Sequence, residues 1–218
     1  MISNQKPGLW RRFLVVLMIP WVDRTIAAVA VLPWAHAIYG LLIRGEMTIP
    51  RASLAIQFLI VIITMVFRTP PVRITPNPWY WLLTLVASYQ GFFLSAFAQR
   101  GAAIAPSVLT NSISLFALAV AVYARLSLGR SMGLVPAQRV IITRGAYRFV
   151  RHPIYAGIFI GYISFMLRMY SPRIVIMTLI GIGLYVVKSF IEEGFLKEDP
   201  EYADYFARVR WRWFPGLA

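Results

Sequence analysis

Residues 174–193 read IVIMTLIGIGLYVVKSFIEE. The run 174–190 contains a single charge, Lys188, and the chain then places two carboxylates side by side at Glu192 and Glu193. An apolar run of this length is a candidate membrane span. Adjacent carboxylates at its end are costly beside lipid and need a reason. One reason is simple: Lys188 stands at i, i+4 from Glu192 and supports it as a surface ion pair. The other is a polar cavity in which the two acids meet something cationic.

The rest of the chain repeats the apolar theme. Of its 218 residues 59% are hydrophobic and 14% are charged, against about 25% charged in soluble domains. A soluble fold of this length has no way to hide so much apolar surface. The sequence therefore predicts an all-α, polytopic transmembrane helical bundle of five to six spans. The spans fall at 25–43, 52–67, Pro78–Phe97, 105–124, 154–167 and 174–190. The fifth is short for a hydrocarbon core of ~30 Å. Trp79, Tyr80 and Trp81 suit an interfacial aromatic belt. A shorter run at 13–22, flanked by Arg11, Arg12 and Arg24, reads as an interfacial helix.

The net charge is +14 and there is no cysteine. Disulfides, thiolate metal sites and cysteine nucleophiles are thereby excluded, and no histidine spacing suggests zinc. The arginines lie between apolar runs rather than in one stripe, which argues for loops at an anionic membrane face and against nucleic acid. With six spans, Arg44, Arg51, Arg100, Arg168 and Arg173 fall on one side and the other 17 Lys and Arg on the opposite side. The sequence thus predicts both termini in the cytoplasm, together with the connection 125–151 and the C-terminal tail.

The eight acidic residues are unevenly spread: after Glu46 none occurs before Glu192, and then six crowd into Glu192, Glu193, Glu198, Asp199, Glu201 and Asp204. The connection 125–151 holds six arginines and no acid. It is long for a membrane hairpin and carries its own apolar stretch, so it is expected to fold back on the bundle. It ends in Arg151-His152-Pro153, where Pro153 suits a first helical turn and His152 would sit beside free backbone N–H groups, an anion-friendly position. Gly157 and Gly161 have the spacing of close helix packing. In the tail, Asp199 can cap a helix begun by Pro200. Tyr202, Tyr205, Phe206 and Val209 line one face of it, an amphipathic helix over 199–211 that lies on the membrane and can lid a cavity.

Three pieces in order carry a resemblance: Thr143-Arg-Gly-Ala-Tyr147 with Arg151-His-Pro-Ile-Tyr-Ala-Gly157, then Glu192-Glu193-Gly-Phe-Leu196, then Glu201-Tyr202 with Tyr205, Arg208-Val209-Arg210 and Pro215. Residues 125–216 resemble the isoprenylcysteine carboxyl methyltransferases and their relatives, the membrane phospholipid methyltransferases. The resemblance implies methyl transfer from S-adenosylmethionine to a lipid-like or prenylated acceptor among membrane lipids, without a metal. It implies a catalytic region over 101–218 behind an N-terminal membrane region over 1–100. It assigns cofactor contacts to Arg139, Val140, Ile141, Ile142, Tyr147, His152, Pro153, Ile154, Tyr155 and Glu192, and catalytic roles to Glu193 and Lys188. Chemically, Glu192 or Glu193 can pair with the cofactor's ammonium, the helix start at His152-Pro153 can take its carboxylate, and Tyr147 and Tyr155 can offer ring faces. Arg139 stands where the family often has His, Asp199-Pro200 where it often has Phe-Gly, and Lys188 where Arg is more usual. Because Lys lacks the guanidinium fork, a phospholipid amine is as suitable an acceptor as a prenylcysteine carboxylate. Two other readings stand beside this one: an NADPH-dependent membrane sterol-reductase-like enzyme, which shares an Arg-His-Pro-x-Tyr pattern, and a non-enzymatic membrane scaffold or transporter.

Overall fold

A computed structural model describes residues 8–43, 47–97 and 101–217. Arg44, Glu46 and Arg100 lie outside the described residues. The helices are α1 (Leu9–Leu17), α2 (Pro20–Ala30), α3 (Leu32–Ile43), α4 (Ile49–Val66), α5 (Pro78–Phe97), α6 (Ser107–Leu128), α7 (Pro153–Arg168), α8 (Pro172–Leu196) and α9 (Pro200–Arg208). Two short strands, β1 (Arg73–Ile74) and β2 (Ala137–Gln138), pair antiparallel. The chain is an all-α, polytopic helical bundle and an integral membrane protein.

Prolines set most helix starts, since a ring at the first turn forfeits only an N–H that has no helical partner. Pro20, Pro78, Pro153, Pro172 and Pro200 each stand first in their helix. This shifts the first expected boundary. The helix predicted over 13–22 covers Leu9–Leu17 instead, because Pro20 begins a new segment. That segment, α2 and α3 together, spans Pro20–Ile43 and breaks at Val31, two residues ahead of Pro33.

Four segments are long and apolar enough to cross a membrane: Pro20–Ile43, Ile49–Val66, Ser107–Ser131 and Pro172–Leu196. α5 has 20 residues and α7 has 16, about 24 Å for α7 at 1.5 Å per residue. The connections show how these two run. β1, between α4 and α5, pairs with β2, between α6 and α7. Val150, just before α7, pairs with Trp211 in the tail. On the other side Ala102, between α5 and α6, pairs with Tyr170, between α7 and α8. Successive connections therefore alternate between two faces, and α5 and α7 traverse the bundle like their neighbours. Large exposed apolar side chains on the spans, such as Leu59, Ile63, Phe116, Leu179 and Ile180, stand on the outside of the bundle and form the surface that faces lipid.

Inside, small residues and polar cross-links replace the usual apolar driving force. α6 and α7 meet along a seam of Ala117, Ala121 and Ala124. A Cβ on Gly157 would lie 3.0 Å from the Ala121 Cβ and its backbone nitrogen, so the close packing expected at Gly157 is real. Gly161 is looser, with the Ala117 Cβ 3.9 Å from where its own would be. Ser164 donates to the Thr110 carbonyl at 2.7 Å along the same seam. α5, α7 and α8 are tied by Gln90, which donates to the Met177 carbonyl at 2.7 Å and accepts from the Tyr162 hydroxyl at 2.6 Å. Gly181 leaves the room: a Cβ there would stand 2.6 Å from the Gln90 Oε1.

Candidate active site

The segment 129–152 folds back over the bundle as expected, and three devices hold it. The first is local. Gly145, at φ +62°, sits against Ser127 at the end of α6; a Cβ would meet the Ser127 Oγ at 2.3 Å. The Ala146 N–H donates to that same oxygen at 3.0 Å. Only glycine fits both the dihedral and the space.

The second device is a buried ion cluster on α2. Arg68 makes a two-pronged contact with Asp23, at 2.9 Å and 2.6 Å, and Arg139 reaches the same carboxylate at 3.2 Å. Arg139 thus clips the segment to the N-terminal helices. Burial first, and then the neighbouring Arg68, draw its guanidinium down to about 10 against the pull of Asp23. Its Nε and Nη1 have no partner among the described residues.

The third device is built on Glu193, which is 2% exposed. Its carboxylate accepts from Arg151 Nε at 2.8 Å, from Arg212 Nη2 at 2.9 Å, and lies 3.1 Å from His152 Nε2. Arg151 also donates to the carbonyls of Val209 and Arg210, at 2.7 and 2.8 Å. One carboxylate so joins α8, the start of α7 and the tail. Beside it α9 begins at Pro200 and is capped by Asp199 as predicted, the carboxylate accepting from the Glu201 N–H at 2.8 Å. The helix ends at Arg208 rather than running on to Trp211, because the following residues pair with Val150. Its Tyr202 and Tyr205 pack on Tyr147, Ile141 and Ile142. The Tyr205 hydroxyl donates to the Tyr147 carbonyl at 2.8 Å. Burial pushes the Tyr147, Tyr202 and Tyr205 hydroxyls upward, so they stay protonated donors.

Beneath this cap lies a cavity of about 1100 Å³. It runs along α7 from His152 to Met169 and has mainly apolar middle walls, among them Phe58, Val61, Leu94, Ile158 and Phe165. Of the residues expected at the site, Tyr147, His152, Ile154, Tyr155, Lys188 and Glu192 line it. Glu192 is the carboxylate that faces inward. Its Oε2 accepts from the Tyr155 hydroxyl at 2.6 Å and lies 3.8 Å from His152 Nδ1; its Oε1 lies 3.9 Å from Lys188 Nζ. Lys188 donates to Ser88 of α5 at 3.0 Å. The His152 and Tyr155 rings stack at 5.1 Å.

Arg139, Val140, Ile141 and Ile142 line a separate, smaller cavity of about 110 Å³, which shares the walls Tyr147 and His152 with the large one. Pro153 and Glu193 line neither. The tail reaches the chain just ahead of the helix start. The His152 N–H donates to the Arg212 carbonyl at 2.7 Å, and the Arg151 N–H to the Trp211 carbonyl at 2.9 Å. The two residues that lead into α7 are thereby held by the tail.

Several participants escaped the sequence. Asp23 and Ser88 are distant in the chain from the motifs. Arg125 was read as the first residue of a loop, but α6 continues to Leu128 and carries it into the cavity wall. The signal was present: the apolar pattern goes on through Leu126 and Leu128.

No curated protein matches the chain. Residues 109–199 match the phospholipid methyltransferase family, which stands in the group of membrane methyltransferases that the motifs resemble, and the matched stretch holds α7, α8, nearly all of α6, and both Glu192 and Glu193.

Proposed function

We propose that the protein is an S-adenosylmethionine-dependent methyltransferase acting on a lipid or prenyl-like acceptor held inside the membrane bundle. The observation that carries this is a coincidence of place. The stretch matching the phospholipid methyltransferase family is the stretch that walls the cavity with Tyr147, His152, Tyr155, Lys188 and Glu192. The donor set suits the cofactor's charges: a carboxylate for an ammonium, ring faces for a sulfonium or adenine, and, for a carboxylate, the unpartnered guanidinium nitrogens of Arg125 in the wall of the large cavity and of Arg139 in that of the small one. When bound, the cofactor supplies a methyl group on a positively charged sulfur.

The protein's contribution is positioning and exclusion of water. Glu192 is fixed by the Tyr155 hydroxyl and takes the cationic end. Tyr147 and His152, which wall both cavities, stand where a ligand extending from one into the other passes. Lys188, one turn before Glu192 and anchored on Ser88, faces the acceptor side. Glu193, with both oxygens held by Arg151, His152 and Arg212, is a positioning residue: it sets the His152 ring and locks the tail. α9 packs over Ile141, Ile142 and Tyr147 and keeps water from them. The apolar middle of the cavity takes the acceptor's chain. The cap faces the cytoplasm on this reading, since the Lys and Arg excess lies on its side. The catalytic region 101–218 draws on the N-terminal part as well, because Ser88, Phe58 and Val61 complete the walls.

Calorimetry on the purified protein tests the reading. Binding of S-adenosylmethionine is expected, with Glu192→Gln and His152→Ala each weakening it. Binding of NADPH in its place moves the protein to reduction, and binding of neither favours a scaffold. Transfer of labelled methyl groups into a lipid extract then identifies the acceptor.

A further inference from the structure

Arg125 is 5% exposed, sits in the cavity wall, and has no hydrogen-bond partner at Nε or Nη1 among the described residues. A buried arginine in a membrane bundle ordinarily pairs with a carboxylate or with backbone carbonyls. The other cations at this end of the large cavity are engaged; Arg139, which also has unpartnered nitrogens, lines the smaller cavity and is paired with Asp23. Lys188 holds Ser88 and faces Glu192. Arg151 and Arg212 hold Glu193. The His152 N–H is bonded to the Arg212 carbonyl. Arg125 is therefore the cationic group in the wall whose donors await an acceptor.

Its surroundings define what fits. Arg125 on α6 and Glu192 on α8 both lie within electrostatic reach of the Tyr147 hydroxyl. Both line the one cavity. A positive and a negative group on two helices that line one cavity, each with capacity to spare, recognise a zwitterion. Guanidinium nitrogens grip a carboxylate in a two-pronged, planar contact that a point charge cannot reproduce.

We propose that Arg125 binds the α-carboxylate of S-adenosylmethionine while Glu192 binds its ammonium, so that α6 and α8 grip the amino-acid end of the cofactor between them. The assignment rests on the proposed cofactor and replaces the start of α7 as the carboxylate site.

Decarboxylated S-adenosylmethionine, which keeps the ammonium and sulfonium but lacks the carboxylate, separates the two contacts. Calorimetry with full-length protein is expected to show the natural cofactor bound about tenfold or more tighter than this analogue, the range of a charge-assisted contact. Arg125→Gln should lower the affinity for the natural cofactor to that for the analogue and leave the analogue's affinity unchanged, which also reports an intact fold. Arg125→Lys should recover part of the preference. Glu192→Gln should weaken both ligands alike. The proposal is overturned if Arg125→Gln weakens both ligands equally. It is overturned too if that variant changes neither while raising the KM for the acceptor, which would give Arg125 to an anionic headgroup. Wild-type protein that binds neither ligand refutes the cofactor itself, a different failure.

Discussion

Two carboxylates hold the segment 129–152, one on each side, and they do it differently. Asp23, on the N-terminal side, faces two arginines and leaves two Arg139 nitrogens without partners. Glu193, on the C-terminal side, is met by two arginines and a histidine, and Arg151 completes its bonds on tail carbonyls. The first is a clip with slack in it; the second is a closed joint through which α7, α8 and the tail are fixed together. The contrast shows which part of the site is rigid scaffold. A third carboxylate, Glu192, is adjacent to Glu193 and has an opposite use: it meets Tyr155, has Lys188 and His152 near it, and lines the cavity.

The largest effect is expected from breaking the closed joint. Glu193→Ala leaves two buried arginines and His152 without their acceptor, and should cost about 3–5 kcal/mol, read as a large fall in the detergent unfolding midpoint with loss of cofactor binding. Asp23→Ala should cost less, about 2–3 kcal/mol, because the cluster is already incomplete. Proteolysis within 129–144 should rise before global unfolding does. If Asp23→Ala proves the more damaging, the contrast is reversed. Glu192→Gln sharpens the comparison. It should shift the unfolding midpoint little yet weaken S-adenosylmethionine about tenfold, so that neighbouring acids separate binding from stability. Tyr205→Phe, which removes one bond to the Tyr147 carbonyl, should cost about 1 kcal/mol and raise hydrogen exchange only in α9.

The sequence made the bundle legible because a span needs only length and apolarity, both local. The motifs around Arg151–Gly157 and Glu192–Glu193 were equally visible. What it left undecided was direction. Successive residues on a helix diverge by about 100°, so no reading of two adjacent glutamates tells which one faces the cavity. Partners far along the chain were hidden for the same reason. Asp23 meets Arg139 across 116 residues, and the His152 N–H is taken by Arg212 through a strand pairing that nothing in the tail's composition announces. Arg125 was hidden by a boundary: four more residues of α6 turn a loop arginine into a cavity wall.

The long cavity beside α7 has a consequence for how any acceptor arrives. With apolar walls and a volume of about 1100 Å³, it suits the hydrocarbon tails that surround the bundle at molar concentration. On the proposed function an acceptor binds by exchange against the bilayer itself, and its apparent affinity scales with its mole fraction among the other lipids rather than with its amount in water. Dilution by inert lipid acts on such a site as a competitive inhibitor does, and a detergent micelle is the most concentrated inhibitor of all.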